Sequence, residues 1–113
     1  MNIDLNADVG EGADDVSLYD IVSSVNIACG AHAGDDETMA RAIELGLKRP
    51  VSIGAHPGYP DRENFGRKTM PLSDSALSDT IFQQLHHLWA DLIRGKEMYA
   101  PLAAKKFSCA GSV

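Results

Sequence analysis

Asn26-Ile27-Ala28-Cys29-Gly30-Ala31-His32-Ala33-Gly34-Asp35 is the stretch that decides the fold of this chain. An apolar run ends at a glycine turn, presents His32, and gives way to an aspartate where a helical pattern begins. Two other stretches repeat the event. Asn2-Ile3-Asp4-Leu5-Asn6-Ala7-Asp8-Val9-Gly10-Glu11 precedes it, and Val51-Ser52-Ile53-Gly54-Ala55-His56-Pro57-Gly58-Tyr59-Pro60-Asp61 follows it. Each is a short strand-like run that ends by releasing polar or ionisable side chains beside glycine. In sheets built from strand–helix units, ligands bind outside the carboxyl ends of the strands. Three strand ends carrying Asp8, Glu11, His32 and His56 therefore point to one site.

The rest of the chain sets the frame. Its 113 residues suit one domain, and 44% hydrophobic with 23% charged residues is the composition of a soluble globular protein. A net charge of −6 argues against a surface that neutralises nucleic-acid phosphates. No apolar run approaches the ~20 residues of a membrane span, and Met1 leads into Asn2-Ile3-Asp4-Leu5 with no signal-peptide pattern. Cys29 and Cys109 form neither a C-x-x-C pair nor a zinc-knuckle spacing. A reduced, cytoplasmic protein is expected, with Cys29 a small strand residue rather than a nucleophile.

Residues 2–6 read as a first strand, with Asp4 and Asn6 alternating against Ile3 and Leu5. Residues 7–15 are glycine- and acid-rich and read as a loop, and residues 16–24 suit a short helix. Residues 25–29 form the second strand. Asp35 or Asp36 then caps a helix to about Lys48, with Met39, Ala42, Ile43 and Leu47 on one stripe and Glu37 paired to Arg41 on the wet face. Pro50 ends it, and residues 51–55 form the third strand. This β–α–β rhythm predicts an α/β fold with parallel strands. From His56 to Met70 the chain has no periodicity, and so long a loop in a compact domain tends to be functional. Ser73 caps a long helix over 73–94, whose stripe is Leu77, Ile81, Leu85, Leu88 and Leu92, with Arg94 in its last turn and Gly95 at C′. Residues 96–113 show neither strand alternation nor a capped helix, and the chain has no repeats, low-complexity tract or interdomain linker.

The catalytic candidates are Asp8, Glu11, His32 and His56. A neutral imidazole ligates a metal or moves protons near pH 7, and a carboxylate serves as metal ligand or general base. The bland alternatives are histidines that hydrogen-bond a loop backbone and a solvated acidic loop. Asp4 lies inside the strand pattern, where an unpaired carboxylate is costly, so it calls for a specific partner. Asp35 is first a helix N-cap. Tyr59, Asp61 and Arg67 suit a pocket wall under the long loop, Arg67 offering a planar fork for a substrate carboxylate; loop packing is the alternative. The glycines form no phosphate-binding loop of known type. His86-His87, in the middle of the long helix, reads as surface or packing.

Together with Phe65-Gly66-Arg67, the three quoted stretches resemble the LamB/YcsF family, the A subunit of the bacterial ATP-dependent 5-oxoprolinase. The match covers residues 1–94, leaving 95–113 as a divergent tail. The resemblance implies the N-terminal part of an irregular (β/α) barrel of the polysaccharide-deacetylase type. It implies a cytoplasmic complex with B and C subunits that opens 5-oxo-L-proline to L-glutamate, with ATP as cosubstrate. Asp4, Asn6, Asp35, Tyr59, Asp61 and Arg67 then fall to substrate binding. Related deacetylase-like barrels hold a divalent metal with an Asp and two His, which maps onto Asp8, His32 and His56. A metal-dependent deacetylase-like hydrolase, or a non-catalytic remnant retaining a subunit-binding surface, are the alternatives. The chain departs from the family pattern in a shorter loop between Glu11 and Tyr19 and in Ala31, where phenylalanine is common. It also lacks a fourth strand with a Lys-Pro-His-Gly motif, so a truncated or frame-shifted product with unpartnered apolar surface is expected.

Overall fold

The computed structural model describes residues 3–98 and 107–109. Strands β1 (Asn6–Val9), β2 (Ser24–Ala28), β3 (Ser52–His56) and β4 (Phe107–Cys109) stand in the order β1-β2-β3-β4, and every neighbouring pair is parallel. Helix α1 (Asp36–Leu47) connects β2 to β3, and α2 (Asp74–Met98) follows β3. Parallel strands that succeed one another without a reversal of order are wound as in a (β/α) barrel, not as in a doubly wound sheet. Among the described residues it is an α/β structure of that winding, with the sheet open.

Strand alternation gives the sheet two different faces. Val9, Val25, Ile27, Ile53 and Ala55 are buried in one core with Met39, Ala42, Ile43 and Leu47 of α1 and Leu88 and Leu92 of α2. The intervening residues are small or polar. Register sets Asn6 beside Ser24, Asp8 beside Asn26, Asn26 beside Gly54, and Ala28 beside His56. The helix-free face thus carries the chemistry. Asp35 caps α1 through a capping box, its side chain accepting from the Thr38 N–H at 2.8 Å while the Thr38 hydroxyl takes the Asp35 N–H at 2.7 Å.

Several elements differ from the sequence reading, each for a physical reason. β1 begins at Asn6 and not at Asn2, which lies outside the described residues. Asp4 accepts from the Ser23 and Ser24 hydroxyls at 2.7 and 2.9 Å, and the Leu5 carbonyl accepts from both serine N–H groups. These residues are spent on the entry to β2, and the ladder starts after them. Of residues 16–24 only Val16–Asp20 is helical, as a short 3-10 turn whose Tyr19 is buried and donates to the Ala42 carbonyl at 3.0 Å. Arg41 pairs with Glu44, which also takes Lys48, in place of Glu37. Gly95 does not end α2. A Cβ there would stand 2.8 Å from Leu47 Cδ1 and 3.1 Å from Ile43 Cγ2, so the glycine is what lets α1 and α2 cross closely. Within the tail, Phe107–Cys109 pairs with β3, a strand too short for alternation to reveal. Residues 99–106 and 110–113 lie outside the described residues. On α2, Phe82, Trp89 and Ile93 remain 69, 50 and 44% exposed along one apolar stripe.

Ile53 is 1% exposed in the middle of β3, with strands on both sides. Ile53→Ala is expected to lower the unfolding free energy by about 2–5 kcal/mol in urea denaturation. Ile93→Ala, on the open stripe, is expected to change it by less than about 0.5 kcal/mol.

Candidate functional site

The carboxyl ends of β1, β2 and β3 release their side chains at one level because the strands are parallel and in register. Asp8 lies near the end of β1. Gly10 then turns the chain at φ +76, its N–H donating to Asp15 Oδ2 at 2.9 Å, and Glu11 follows at the sheet edge. His56 is the last residue of β3. Its Nε2 is 3.4 Å from Glu11 Oε1 and 3.5 Å from Asp8 Oδ2. His32, on the turn after β2, meets His56 edge-to-face with ring centroids 4.8 Å apart and planes at 80°. Four ionisable groups from three strand ends share one place.

His32 is the most enclosed of them, at 1% exposure. The long loop encloses it. Phe65 and Gly66 both take positive φ, 53 and 69, which carries the loop back over the ring. A Cβ on Gly66 would lie 2.7 Å from His32 Cβ, and one on Gly58 would lie 2.7 Å from His32 Nδ1. Neither position has room for a side chain, so glycine is required at both. Neither ring nitrogen of His32 has a hydrogen-bond partner among the described residues. Burial, and secondarily the neighbouring His56, hold its pKa below the ordinary histidine value near 6.5, against a smaller opposing pull from Asp8.

Three side chains absent from the sequence-derived set hold this arrangement. Asn26, 5% exposed on β2, donates to Asn6 Oδ1 at 2.5 Å and to Asp8 Oδ1 at 3.1 Å, fixing the Asp8 carboxylate. Its signal was a polar residue inside the apolar run of β2. Arg62 donates to the carbonyls of Gly30 and Gly34, both at 2.7 Å, clamping the two ends of the turn that bears His32. Nothing in its spacing marks it. Gln84, 5% exposed on α2, takes the Gly58 N–H at 3.0 Å and donates to the Gly58 carbonyl at 2.9 Å. It stands between Ile81 and Leu88 at helical spacing, a polar residue on the apolar stripe, and that was its signal.

The other sequence candidates are dispersed. Asp4, which does have its specific partners, sits at the amino end of β1, opposite the histidines, with its pKa lowered by the Ser23 and then the Ser24 hydroxyl. Asn6 lies on the helix-free face and donates to Ser24 Oγ at 2.8 Å. Asp35 is engaged in its capping box. Asp61 accepts from the Asn64 side chain at 2.8 Å and so shapes the long loop; Tyr59 is half-buried beside Gly66. Arg67 is exposed, close enough to His32 to act on its charge. His86 stacks on Phe82, and His87 pairs with Asp36 at 3.1 Å. Among the described residues, one group could hold an ion: Glu11, His32 and His56, each offering a ligand atom within 4.8 Å of the others. Asp8 borders that group through His56.

Fold and site together define part of a (β/α) barrel with a histidine–carboxylate centre at its strand ends. The model of the LamB/YcsF family matches residues 3–98. The chain belongs to the LamB/YcsF family. It is also similar to the crystal structure of a lactam utilization protein from Thermus thermophilus, at 36% identity and a TM-score of 0.81. That match covers 99% of this chain and 46% of the other, so this chain spans about half the length of that relative. No helix of the described residues is long and apolar enough to cross a membrane.

Two outcomes test the site. In the presence of a chelator, the His32 ring signals in NMR are expected to titrate with a midpoint below the ordinary value. The unfolded chain then binds a proton that the folded one refuses, so stability falls as pH drops through about 6.5, and His32→Gln removes that part of the slope. A midpoint at or above 6.5 contradicts the burial argument. Gln84→Leu leaves the buried Gly58 N–H and C=O unpaired and is expected to cost roughly 1–3 kcal/mol by chemical denaturation while shifting the His32 ring resonances.

Proposed function

We propose that this chain acts as the A-type component of an ATP-dependent 5-oxoprolinase, opening 5-oxo-L-proline to L-glutamate in the cytoplasm with B and C subunits as partners. The observation that carries the reading is the convergence of His32, His56, Glu11 and Asp8 at one sheet edge in a LamB/YcsF chain. Family membership supports a hydrolase of cyclic amides, and the relative named for lactam utilization supports the same substrate class.

Hydrolysis adds water across the ring C–N bond. Hydroxyl goes to the carbonyl carbon and a proton to the departing nitrogen, leaving the carboxylate and amine of glutamate. ATP hydrolysis supplies the drive. In this reading His56, with one nitrogen facing two carboxylates, takes the proton from the attacking water and returns one to the ring nitrogen. Asp8, held by Asn26, and Glu11 orient that imidazole. Asn6, Tyr59 and Asp61 contribute polar wall, Asp35 sits at the rim beside Gly34, and Arg67 takes the substrate carboxylate. Asp4 lies before the amino end of β1, bound to Ser23 and Ser24, and stays apart from them.

The clustering of Glu11, His32 and His56 favours a second reading, a metal-dependent hydrolase acting on an acyl amide. Co-expression with B and C subunits, followed by ATP-dependent release of glutamate from 5-oxoproline, tests the first. His56→Ala is expected to lose about 10²- to 10⁴-fold of that activity. Full activity in the variant, or none in the assembled wild type, overturns the proposal.

A further inference from the structure

We propose that Glu11, His32 and His56 form a binding site for a divalent transition-metal ion, and that Glu11, not Asp8, supplies its carboxylate. The inference rests on reading the β1–β3 edge as the reacting site, and it specifies which groups do the binding there.

His32 is the first observation. A buried imidazole normally spends at least one nitrogen on a protein partner, because a buried polar group left unpaired costs free energy. Here both nitrogens lack one among the described residues, while Gly58 and Gly66 pack too closely for the ring to leave. So fixed a ring, with its nitrogens uncommitted and another imidazole 4.8 Å away, is arranged for a ligand that accepts nitrogen lone pairs.

Asp8 Oδ2 is 3.5 Å from His56 Nε2, so it is the grouping with His32 and the prior engagement of Asp8 that select the carboxylate. Around a four-coordinate ion with bonds of about 2.1 Å, donor atoms lie about 3.4 Å apart. Glu11 Oε1 and His56 Nε2 are already 3.4 Å apart, and with His32 all three donors fall within 4.8 Å of one another. Glu11 is also the long, flexible member, able to close the remaining gap while both imidazoles stay in place. Asp8 is shorter and already engaged: Oδ1 accepts from Asn26 at 3.1 Å, and Asn26 is held in turn by Asn6. It stands outside the three-donor group, with Oδ2 3.5 Å from His56 Nε2 and its charge acting on His32. That is the position of an outer partner that orients a ligand.

Two imidazoles and a carboxylate suit zinc, iron, nickel or cobalt over calcium or magnesium, and three protein ligands leave a coordination position open. Such an ion would polarise a carbonyl or activate water at that position, and with His56 Nε2 spent on it would take over the water activation assigned to that imidazole above.

The experiment is titration of the metal-stripped full chain with Co²⁺ alone, followed by the visible ligand-field bands and by the metal-induced rise in thermal midpoint. Circular dichroism without metal confirms that each variant is folded. The wild type is expected to bind with tetrahedral-type bands. Glu11→Gln and His56→Asn are expected to weaken binding more than about 100-fold, and Asp8→Asn by about 10- to 100-fold, the range of an outer partner. Absence of Co²⁺ bands in the folded wild type overturns the site. Loss in Asp8→Asn with retention in Glu11→Gln overturns the ligand assignment. None of these readouts uses 5-oxoproline or ATP, so metal binding fails or holds separately from the activity proposed above.

Discussion

The parallel register of β1, β2 and β3 is the constraint on which the rest of the molecule depends. It sets Asp8 beside Asn26 and Ala28 beside His56. Shifting a strand by one residue would send its side chains to the opposite face. Asp8 and His56 would then enter the apolar layer beneath α1 and α2, and Val9 and Ala55 would take the edge. The burial of Val9, Val25, Ile27, Ile53 and Ala55 on the helix side therefore does two jobs. It holds the sheet together, and it forbids any register in which the ionisable residues part.

Register brings the strand ends level but does not set the rings. His32 is placed by contacts from three directions. Arg62 ties together the carbonyls at either end of its turn, Gly66 lies against its Cβ, and Gly58 lies against its ring. Gly58 is itself held at both N–H and C=O by Gln84, which also accounts for a glutamine buried in α2. The helix thus reaches the site through one amide. This is a costly construction, since His32 is buried without a hydrogen bond among the described residues. Sites that pre-organise a binding group carry such local expense, and the surrounding packing supports it.

Much of this was legible in the sequence, and the limits are physical. The three strand-end events, the α1 stripe and its Asp35 cap follow from period and capping chemistry, which depend on residues near in sequence. Strand edges were less legible. Asp4 alternates as a strand residue would, but Ser23 and Ser24 capture it first. Gly95 reads as a helix stop because glycine usually is one, yet tight packing against Leu47 overrode that preference. Arg62 left no trace at all. Its partners are backbone carbonyls about thirty positions away, and no local pattern records a bond of that kind. Asn26 and Gln84 were visible only as polar residues at apolar positions, a sign that a partner exists without naming it.

The open sheet bears on what the site needs. Phe82, Trp89 and Ile93 lie exposed along α2, on a face that further barrel units would cover. Among the described residues, none of the groups named above around His32 and His56 comes from that face. Asp8, Glu11, His32 and His56 belong to the β1–β3 edge, and their supports, Asn26, Arg62 and Gln84, belong to β2, the long loop and the side of α2 turned toward Gly58. The contacts named here that fix His32 therefore lie within the residues described. Closing a barrel would exclude water and could add substrate contacts from other strand ends, as barrel sites usually draw on several. It would not be what positions His32. Ligand capture at this edge and catalysis by a completed enclosure are separable properties, the first resting on register and glycine packing and the second on walls supplied around them.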